Sequence, residues 1–360
     1  MEPSTTSGES RTSARRSSST HDARWFTGGA VFVVVAVMLG AAIGPAGPDW
    51  WRVPLALVDH LPLISIDSGV SDADWAIVWK VRMPRVVLGG LVGAMLSIGG
   101  ASYQGVFRNP LVDPYLLGAA SGAGLGATIA LTIGRGVTSG WLIDPVPAVA
   151  FLFALATVMV TYVVGAAFGG SRAGVTLVLA GVAVVSFTTA VQTFVLQRNI
   201  EVIREVPRWI LGSIARGTWH DVRLVLPYVV VSSVVLLAHR RHLDVFRVGD
   251  DEAATLGMRV ARTRLIIVAA ATLGTAAVVS VSGLIGFVGL VVPHIIRLIA
   301  GAGHRRLLPL SLMGGAGFLI MADIPSRMID RPAETPIGVV TAFVGAPFFI
   351  YLLRSKRFSG

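Results

Sequence analysis

Residues 86–107 read VVLGGLVGAMLSIGGASYQGVF and contain no Asp, Glu, Lys or Arg. A helix of this length can cross the hydrocarbon core of a bilayer, which is about 30 Å thick. Glycines at positions 89, 93 and 100 would let neighbouring helices approach closely, which matters in lipid because no hydrophobic effect drives helices together there. The stretch therefore predicts a closely packed transmembrane helix.

The rest of the chain has the same character. Of its 360 residues, 54% are apolar and 14% are charged, and the mean hydropathy is +0.73. These values do not fit a water-soluble surface. Together with nine further apolar runs, the first stretch predicts an all-α membrane protein with about ten transmembrane helices. The nine runs are Phe26–Ile43, Tyr115–Ile133, Val146–Phe168, Val175–Leu196, Val225–Ala238, Leu265–Ile285, Gly286–Ala300, Leu307–Ile324 and Ile337–Leu353.

The termini and loops suggest a topology. Residues 1–24 are rich in Ser, Thr and Arg, which predicts a disordered cytoplasmic tail ahead of a transmembrane domain at residues 25–360. Many spans follow the first apolar run, so we expect an uncleaved helix rather than a signal peptide. An external loop is expected at residues 44–79. With the N-terminus inside, 18 of the 30 Lys and Arg residues lie on the cytoplasmic side, which favours cytoplasmic termini.

Several classes of protein are disfavoured by composition. The chain has no cysteine, which excludes disulfides and thiolate metal sites. Its lysines, Lys80 and Lys356, do not lie in a phosphate-binding loop, so ATP hydrolysis by such a loop is not expected. The net charge of +10 is spread between apolar runs without interleaved aromatic residues, which argues against nucleic acid. His294 stands alone, and we expect a packed side chain there rather than a metal ligand.

Charge is missing from the predicted spans. The second to seventh contain no Asp, Glu, Lys or Arg, and the later ones carry only Arg297 and Asp323, near their ends. A secondary carrier needs ionisable groups that bind its coupling ion inside the membrane, and a membrane-embedded enzyme would need a cluster of such groups. An uncharged pathway instead suits a large solute that is already chelated. Recognition and energy must then come from other subunits.

Three regions resemble one family. The first is Arg82-Met83-Pro84-Arg85 followed by Asn109-Pro110-Leu111-Val112-Asp113-Pro114, and the second is Leu179-Ala180-Gly181-Val182-Ala183. The third is the closing region, with GFVGLVVPH at residues 286–294, Ala322-Asp323-Ile324 and PIGVVT at residues 336–341. Over about residues 78–354 the chain resembles the FecCD-type permeases for vitamin B12, haem and ferric siderophores.

The resemblance implies a type II importer permease of the ATP-binding-cassette (ABC) class in a bacterial cytoplasmic membrane. Such a subunit pairs with a second copy or a paralogue, surrounded by membrane lipid. It binds two cytoplasmic ATPase subunits, which hold ATP and magnesium, and receives solute from an external binding protein. The permease itself would carry no cofactor and no catalytic residue. We expect an iron-siderophore as the solute, with haem and cobalamin as alternatives.

The resemblance also implies three functional sites. Arg82, Arg85 and Arg327 match positions where arginines meet carboxylates of the binding protein, a task that suits the planar guanidinium. The alternative is that Arg82 and Arg85 reach towards lipid headgroups. Asn109 and Leu111 match residues that narrow the pathway, unless they form a purely structural turn. Gly174 and Val175 are the expected gate residues before the fifth span.

The third implied site is a coupling segment at residues 240–264, where two short helices bent at a glycine would fit the ATPase. An ordinary positively charged loop is the alternative. Acidic residues would suit the start of its second helix, and Gly257 would end that helix in a left-handed conformation. The expected coupling residues are Gly249, Asp250, Glu252, Ala253, Leu256 and Gly257.

Overall fold

A computed structural model of the chain describes residues 7–45, 47–59, 69–133, 144–169 and 173–354. This described part is helical and contains no strand. The helices are α1 Ser7–Ala42, α2 Arg52–Asp59, α3 Asp72–Ile77, α4 Met83–Phe107, α5 Ala119–Ile133, α6 Pro145–Gly169, α7 Ala173–Arg198, α8 Glu205–Ile210, α9 Trp219–Ala238, α10 Arg240–Phe246, α11 Asp250–Thr255, α12 Val260–Ser282, α13 Val288–Ala300, α14 His304–Ser326 and α15 Ile337–Arg354.

Ten of these helices correspond to the predicted spans. Seven in the described part are long and apolar enough to cross a membrane, and α5, α13 and α15 are shorter apolar helices. Most bounds agree with the prediction to within a few residues. Helices α9 and α12 begin earlier than predicted, because charged residues that hydropathy places outside a span can still continue a helix into the interface. The predicted span at Gly286–Ala300 begins only at Val288, after a left-handed turn at Phe287.

Helix α1 includes residues of the segment for which the sequence predicts a disordered tail, and disorder of that tail stays a prediction. The helix begins at Ser7, so residues 7–24 have helical backbone. No proline occurs after Pro3 in this stretch and no glycine after Gly8. Adding a residue to an existing helix is far easier than nucleating a new one, so the apolar part of α1 can propagate backwards through the polar residues. The side of the membrane on which the tail lies stays a prediction.

The expected loop at residues 44–79 is also partly helical. It contains α2 and α3, and α3 continues through one π-helical turn, Val78–Arg82, directly into α4. The Ser71 side chain accepts a hydrogen bond from the Asp74 amide and so caps the start of α3. The helix that includes α4 therefore extends over residues 72–107. Hydropathy detects only its apolar portion.

Helix α4 lies at the centre of the bundle, with α9, α12, α13 and α14 packed around it. Its glycines permit this packing: Gly93 lies against the backbone of Gly315 in α14, and Gly100 lies against the backbone of Gly289 in α13. A side chain at either position of α4 would overlap these backbones. Residues 86–107, which predict a closely packed transmembrane helix, thus lie at the centre of the helix bundle.

Candidate functional site

Arg85, in the first turn of α4, forms the centre of a buried ionic network. Its guanidinium donates to both carboxylate oxygens of Asp323 in the last turn of α14, at 2.7 to 3.0 Å. Its Nη1 donates to Glu334, in the loop before α15, at 2.8 Å. The fork of Arg85 therefore joins α4, α14 and the loop leading into α15.

Arg82 and Arg327 extend this network to α1. Nη1 of Arg82 donates to the carbonyl oxygens of Ala41 and Ala42, each at 2.9 Å. Arg327 donates to the carbonyl oxygen of Gly40 at 2.6 Å. The last carbonyls of a helix have no partner inside the helix and carry partial negative charge, so cations stabilise them.

We call this network the arginine cluster, comprising Arg82, Arg85, Asp323, Arg327 and Glu334. The structure brings together all three arginines predicted to dock the binding protein, but their exposed fractions are only 4%, 6% and 2%. The hydrogen bonds described above lie within the chain, and the alternative that Arg82 and Arg85 reach towards lipid headgroups stays untested. Docking stays a prediction. Sequence reasoning missed Glu334 as a partner, although the isolated Asp323 in an apolar span was a signal.

The loop after α4 is shaped by short-range hydrogen bonds. Arg108 ends α4 with left-handed backbone at φ 51°. The Asn109 side chain accepts a hydrogen bond from the Leu111 amide at 2.9 Å, which forms a compact turn. Asp113 accepts hydrogen bonds from the Tyr115 and Leu116 amides. Burial raises the pKa of Asp113 to about 6, against the opposing effect of these bonds.

The predicted gate residues lie on two elements. Asn109 and Leu111 are exposed in the loop after α4, whereas Gly174 and Val175 lie in the first turn of α7. Helix α7 approaches the other element further along, where Gly181 lies against the carbonyl of Leu116. A structural turn does form at Asn109, and it leaves Leu111 exposed. A gating role for these residues stays a prediction.

The coupling segment has the geometry expected from its sequence. Helices α10 and α11 meet at Gly249, whose φ is +123°, and Gly257 has a φ of +82°. The Gly257 amide donates to the Ala254 carbonyl and the Met258 amide donates to the Ala253 carbonyl. These two bonds form a Schellman motif, which satisfies the last carbonyls of α11.

Helix α11 has one face towards the bundle and one away from it. Ala253 is fully buried, while Leu256 and Val248 are 71% and 57% exposed. Glu252 and Asp251 are also exposed and lie in the first turn, where the helix dipole favours acids. Leu256 and Val248 are therefore uncovered by the rest of the described chain and available to a partner protein. Coupling to an ATPase stays a prediction.

The arginine cluster and the coupling segment lie at opposite ends of α4. Arg85 is in the first turn of this 25-residue helix, and Arg108, which caps its last turn, lies 3.7 Å from Asp250 of the coupling segment. A helix of that length spans about 37 Å. The predicted docking and coupling sites are therefore separated by roughly the thickness of a membrane.

No group of His, Asp and Glu residues that could hold a metal ion occurs in the described ranges. The His294 ring packs edge-on against Phe348, with ring centroids 6.0 Å apart. Its geometry is that of a packed side chain. At the end of α4, Gln104 accepts a hydrogen bond from Arg297 and donates one to the Gly289 carbonyl. Sequence reasoning did not identify Gln104, and no local pattern distinguishes it.

Comparisons with known proteins agree along the chain. The model of the FecCD transport family matches residues 30–355. The chain is 38% identical to the cobalamin import system permease protein BtuC of Halobacterium salinarum, covering 95% of this chain and 99% of that protein. It is 36% identical to the hemin transport system permease protein HmuU of Yersinia pestis, covering 81% and 87% respectively. Its identity to the iron(3+)-hydroxamate import system permease protein FhuB of Bacillus subtilis is 34%, covering 82% and 80%.

A solved structure supports the same architecture. It is a metal-chelate type ABC transporter in an inward-facing conformation, and its chain superposes with a TM-score of 0.78 at 27% identity. The match covers 91% of this chain and 98% of that chain. The predicted all-α importer permease architecture is confirmed.

Proposed function

The chain belongs to the FecCD transport family of ABC importer permeases, and we propose that it carries a metal chelate across the cytoplasmic membrane. Two observations support this proposal. The family match extends along the chain, and the charged groups of the apolar spans lie near the ends of the helices. In the described helices, Asp323, Arg264 and Arg297 all lie within two turns of a helix end. Between these ends, the apolar spans that the structure describes have no charged group for a coupling ion.

The partners follow from the family. An ABC importer permease works with an ATPase and a solute-binding protein, and we assign the coupling segment to two cytoplasmic ATPase subunits. The arginine cluster would face the external binding protein, because it lies at the other end of α4. Both termini would then be cytoplasmic. A second copy of the permease, or a close paralogue, would complete the pathway. A mass measurement of the complex in detergent tests this, and an active complex with one permease copy would contradict it.

The solute we propose first is an iron-siderophore. The named relatives import cobalamin, hemin and iron(3+)-hydroxamate, and all three solutes are metal chelates. An uncharged pathway suits this class, because chelation satisfies the charge of the metal before the solute enters. Cobalamin is the second candidate, since identity to a cobalamin permease reaches 38% over 95% of this chain.

Reconstitution tests the function. The permease, its ATPase and its binding protein would be placed in liposomes, and uptake of a labelled ferric siderophore, cobalamin and haem would be measured with and without internal ATP. We expect uptake of one chelate only when ATP and both partners are present. Uptake driven by an ion gradient without the ATPase would contradict the proposal and favour a secondary carrier. Preference for cobalamin or haem would correct the solute and leave the importer function intact.

A further inference from the structure

Arg264 contacts both helices of the coupling segment. It is the fifth residue of α12 and is 5% exposed. Its Nη2 donates to Oδ2 of Asp250 in α11 at 2.6 Å. Its guanidinium carbon lies 5.4 Å from the ring centroid of Phe246 in α10, within the range of a cation–π contact. One side chain of α12 thus holds α10 and α11 together.

The other oxygen of Asp250 faces a second arginine. Oδ1 lies 3.7 Å from Nη2 of Arg108, whose side chain is 47% exposed. Arg108 has left-handed backbone, which is uncommon for a residue with a side chain, and it directly precedes Asn109. The carboxylate of Asp250 therefore bridges the start of α12 and the loop in which we place the cytoplasmic gate.

We call the contacts of Asp250 with Arg264 and with Arg108 the coupling bridge. Its two contacts, or arms, differ in strength. The bond to Arg264 is short and partly buried, and charge-assisted bonds of that length are strong. The contact to Arg108 is longer and half exposed, and such pairs contribute little and are screened by salt. Helix α10 is held separately, because Asp244 accepts hydrogen bonds from the amide and ring of His304 at the start of α14. The bridge therefore has one firm arm and one arm that can open.

We propose that Arg108, Asp250 and Arg264 transmit movement of the coupling segment to the gate loop and to α12. The inference rests on the proposed function, since it assumes an ATPase bound at Leu256 and Val248. Arg264 keeps α11 attached to α12 throughout, while the pair between Asp250 and Arg108 forms in one conformation and breaks in another. All three act as positioning residues, because they act through the gate loop and α12.

Transport efficiency tests the bridge in the reconstituted complex. For Arg108→Gln we expect unchanged assembly with the ATPase, nearly unchanged ATP hydrolysis, and up to about five-fold less solute carried per ATP, the scale of one exposed ion pair. Asp250→Asn removes both contacts and should lower the amount of solute carried per ATP at least as much. Arg108→Lys should restore the ratio, because it keeps the charge. The double variant should be no worse than Asp250→Asn alone. The matched control is Arg262→Gln, which removes an exposed charge from the same turn of α12 and should keep the normal ratio.

A distance measurement separates transmission from a purely structural role. The chain has no native cysteine, so spin labels at Asp251→Cys and Leu111→Cys report the distance between coupling segment and gate loop. In the unmodified background we expect this distance to shift between the ATP-bound and nucleotide-free complexes. With Arg108→Gln the coupling segment should move without the gate loop.

The bridge is overturned if both single variants assemble and keep the normal solute-to-ATP ratio. It is also overturned if the distance change with Arg108→Gln equals that of the unmodified background. If the variants do not assemble, the spin labels on the otherwise unmodified chain decide, and an unchanged distance between nucleotide states contradicts an Asp250–Arg108 pair that forms in one conformation and breaks in another. Failure of the unmodified chain to bind an ATPase would instead contradict the proposed function.

Discussion

The two ends of α4 carry ionic networks of different character. At one end Arg85 and Asp323 are almost completely buried and share three hydrogen bonds. At the other end Asp250 is 24% exposed and has one short partner and one long one. A buried pair is rigid, because separating it leaves an unpaired charge without water. A half-exposed pair can separate, because water replaces the lost partner. The same chemistry therefore fixes the bundle at one end and permits movement at the other.

The largest expected effect is at the buried end. Asp323→Asn would leave Arg85 and Arg327 with no buried carboxylate between them, so we expect a loss of about 3–5 kcal/mol in the free energy of unfolding. Unfolding in detergent, followed by helical circular dichroism, measures this. Glu334→Gln is the matched control, since Glu334 is 33% exposed. A loss of about 1 kcal/mol or less is expected there. Equal losses for the two variants would show that burial does not distinguish these contacts.

The burial of the arginines also changes the expected result of reversing their charge. Exposed arginines would tolerate replacement by Glu, because exposed charges contribute little to stability. Arg82, Arg85 and Arg327 are buried, so each reversal would place an acid against helix carbonyls or Asp323 and destabilise the bundle. Weaker binding of an external partner by such variants could not be assigned to docking alone.

A smaller effect is expected in the coupling segment. Gly257→Val should strain the backbone, because φ is +82° there and a β-branched residue avoids this region. No other atom lies within 4 Å of the site where a Cβ would stand, so the effect comes from backbone strain and not from overlap. We expect local stability to fall by about 1–3 kcal/mol. We also expect the solute to stop stimulating ATP hydrolysis in the reconstituted complex. Gly28→Val adds the same bulk in open space at ordinary φ and should leave hydrolysis stimulated.

The two arms of the coupling bridge should differ in stability as well. Arg264→Gln should lower the free energy of unfolding by about 1–3 kcal/mol, because a partly buried charge-assisted bond and a ring contact are lost. Arg108→Gln should change it by less than about 1 kcal/mol. Thermal unfolding of both variants in one detergent provides the comparison. A larger loss for Arg108→Gln would reverse the assignment of the firm and the movable arm.

The smallest expected effect tests docking at the arginine cluster. If a carboxylate of the binding protein reaches Arg85, it must compete with Glu334, which lies 2.8 Å away. Glu334→Gln should therefore tighten binding of that partner by up to about five-fold and make it more sensitive to salt. Titration at two ionic strengths measures both. If the affinity of the binding protein and its salt dependence are unchanged in Glu334→Gln, the arginines stabilise the bundle and do not dock the binding protein.

Prediction from the sequence succeeded where the cause is local. The apolar runs give the membrane spans, and Gly257 with its preceding acids indicates the end and the start of α11. It was less successful at helix boundaries, because the polar residues of α1 and α3 become helical only by continuing a neighbouring helix. It assigned the three arginines to docking and found none of their partners within the chain, whereas the structure has all three buried and bonded inside the chain.

Composition and hydropathy are enough to indicate the solvent and the class of fold. A chain with long uncharged runs must satisfy its backbone hydrogen bonds internally when it lies in lipid, and helices achieve this within each run. Tertiary structure alone decided the partners of the charged groups. Arg85 and Asp323 are 238 residues apart in sequence, and Arg85 and Glu334 are 249 apart. No local pattern relates residues at such separations. They meet because glycine contacts such as Gly93 with Gly315 bring α4 and α14 together, and the cost of burying a charge then selects the pairs that form.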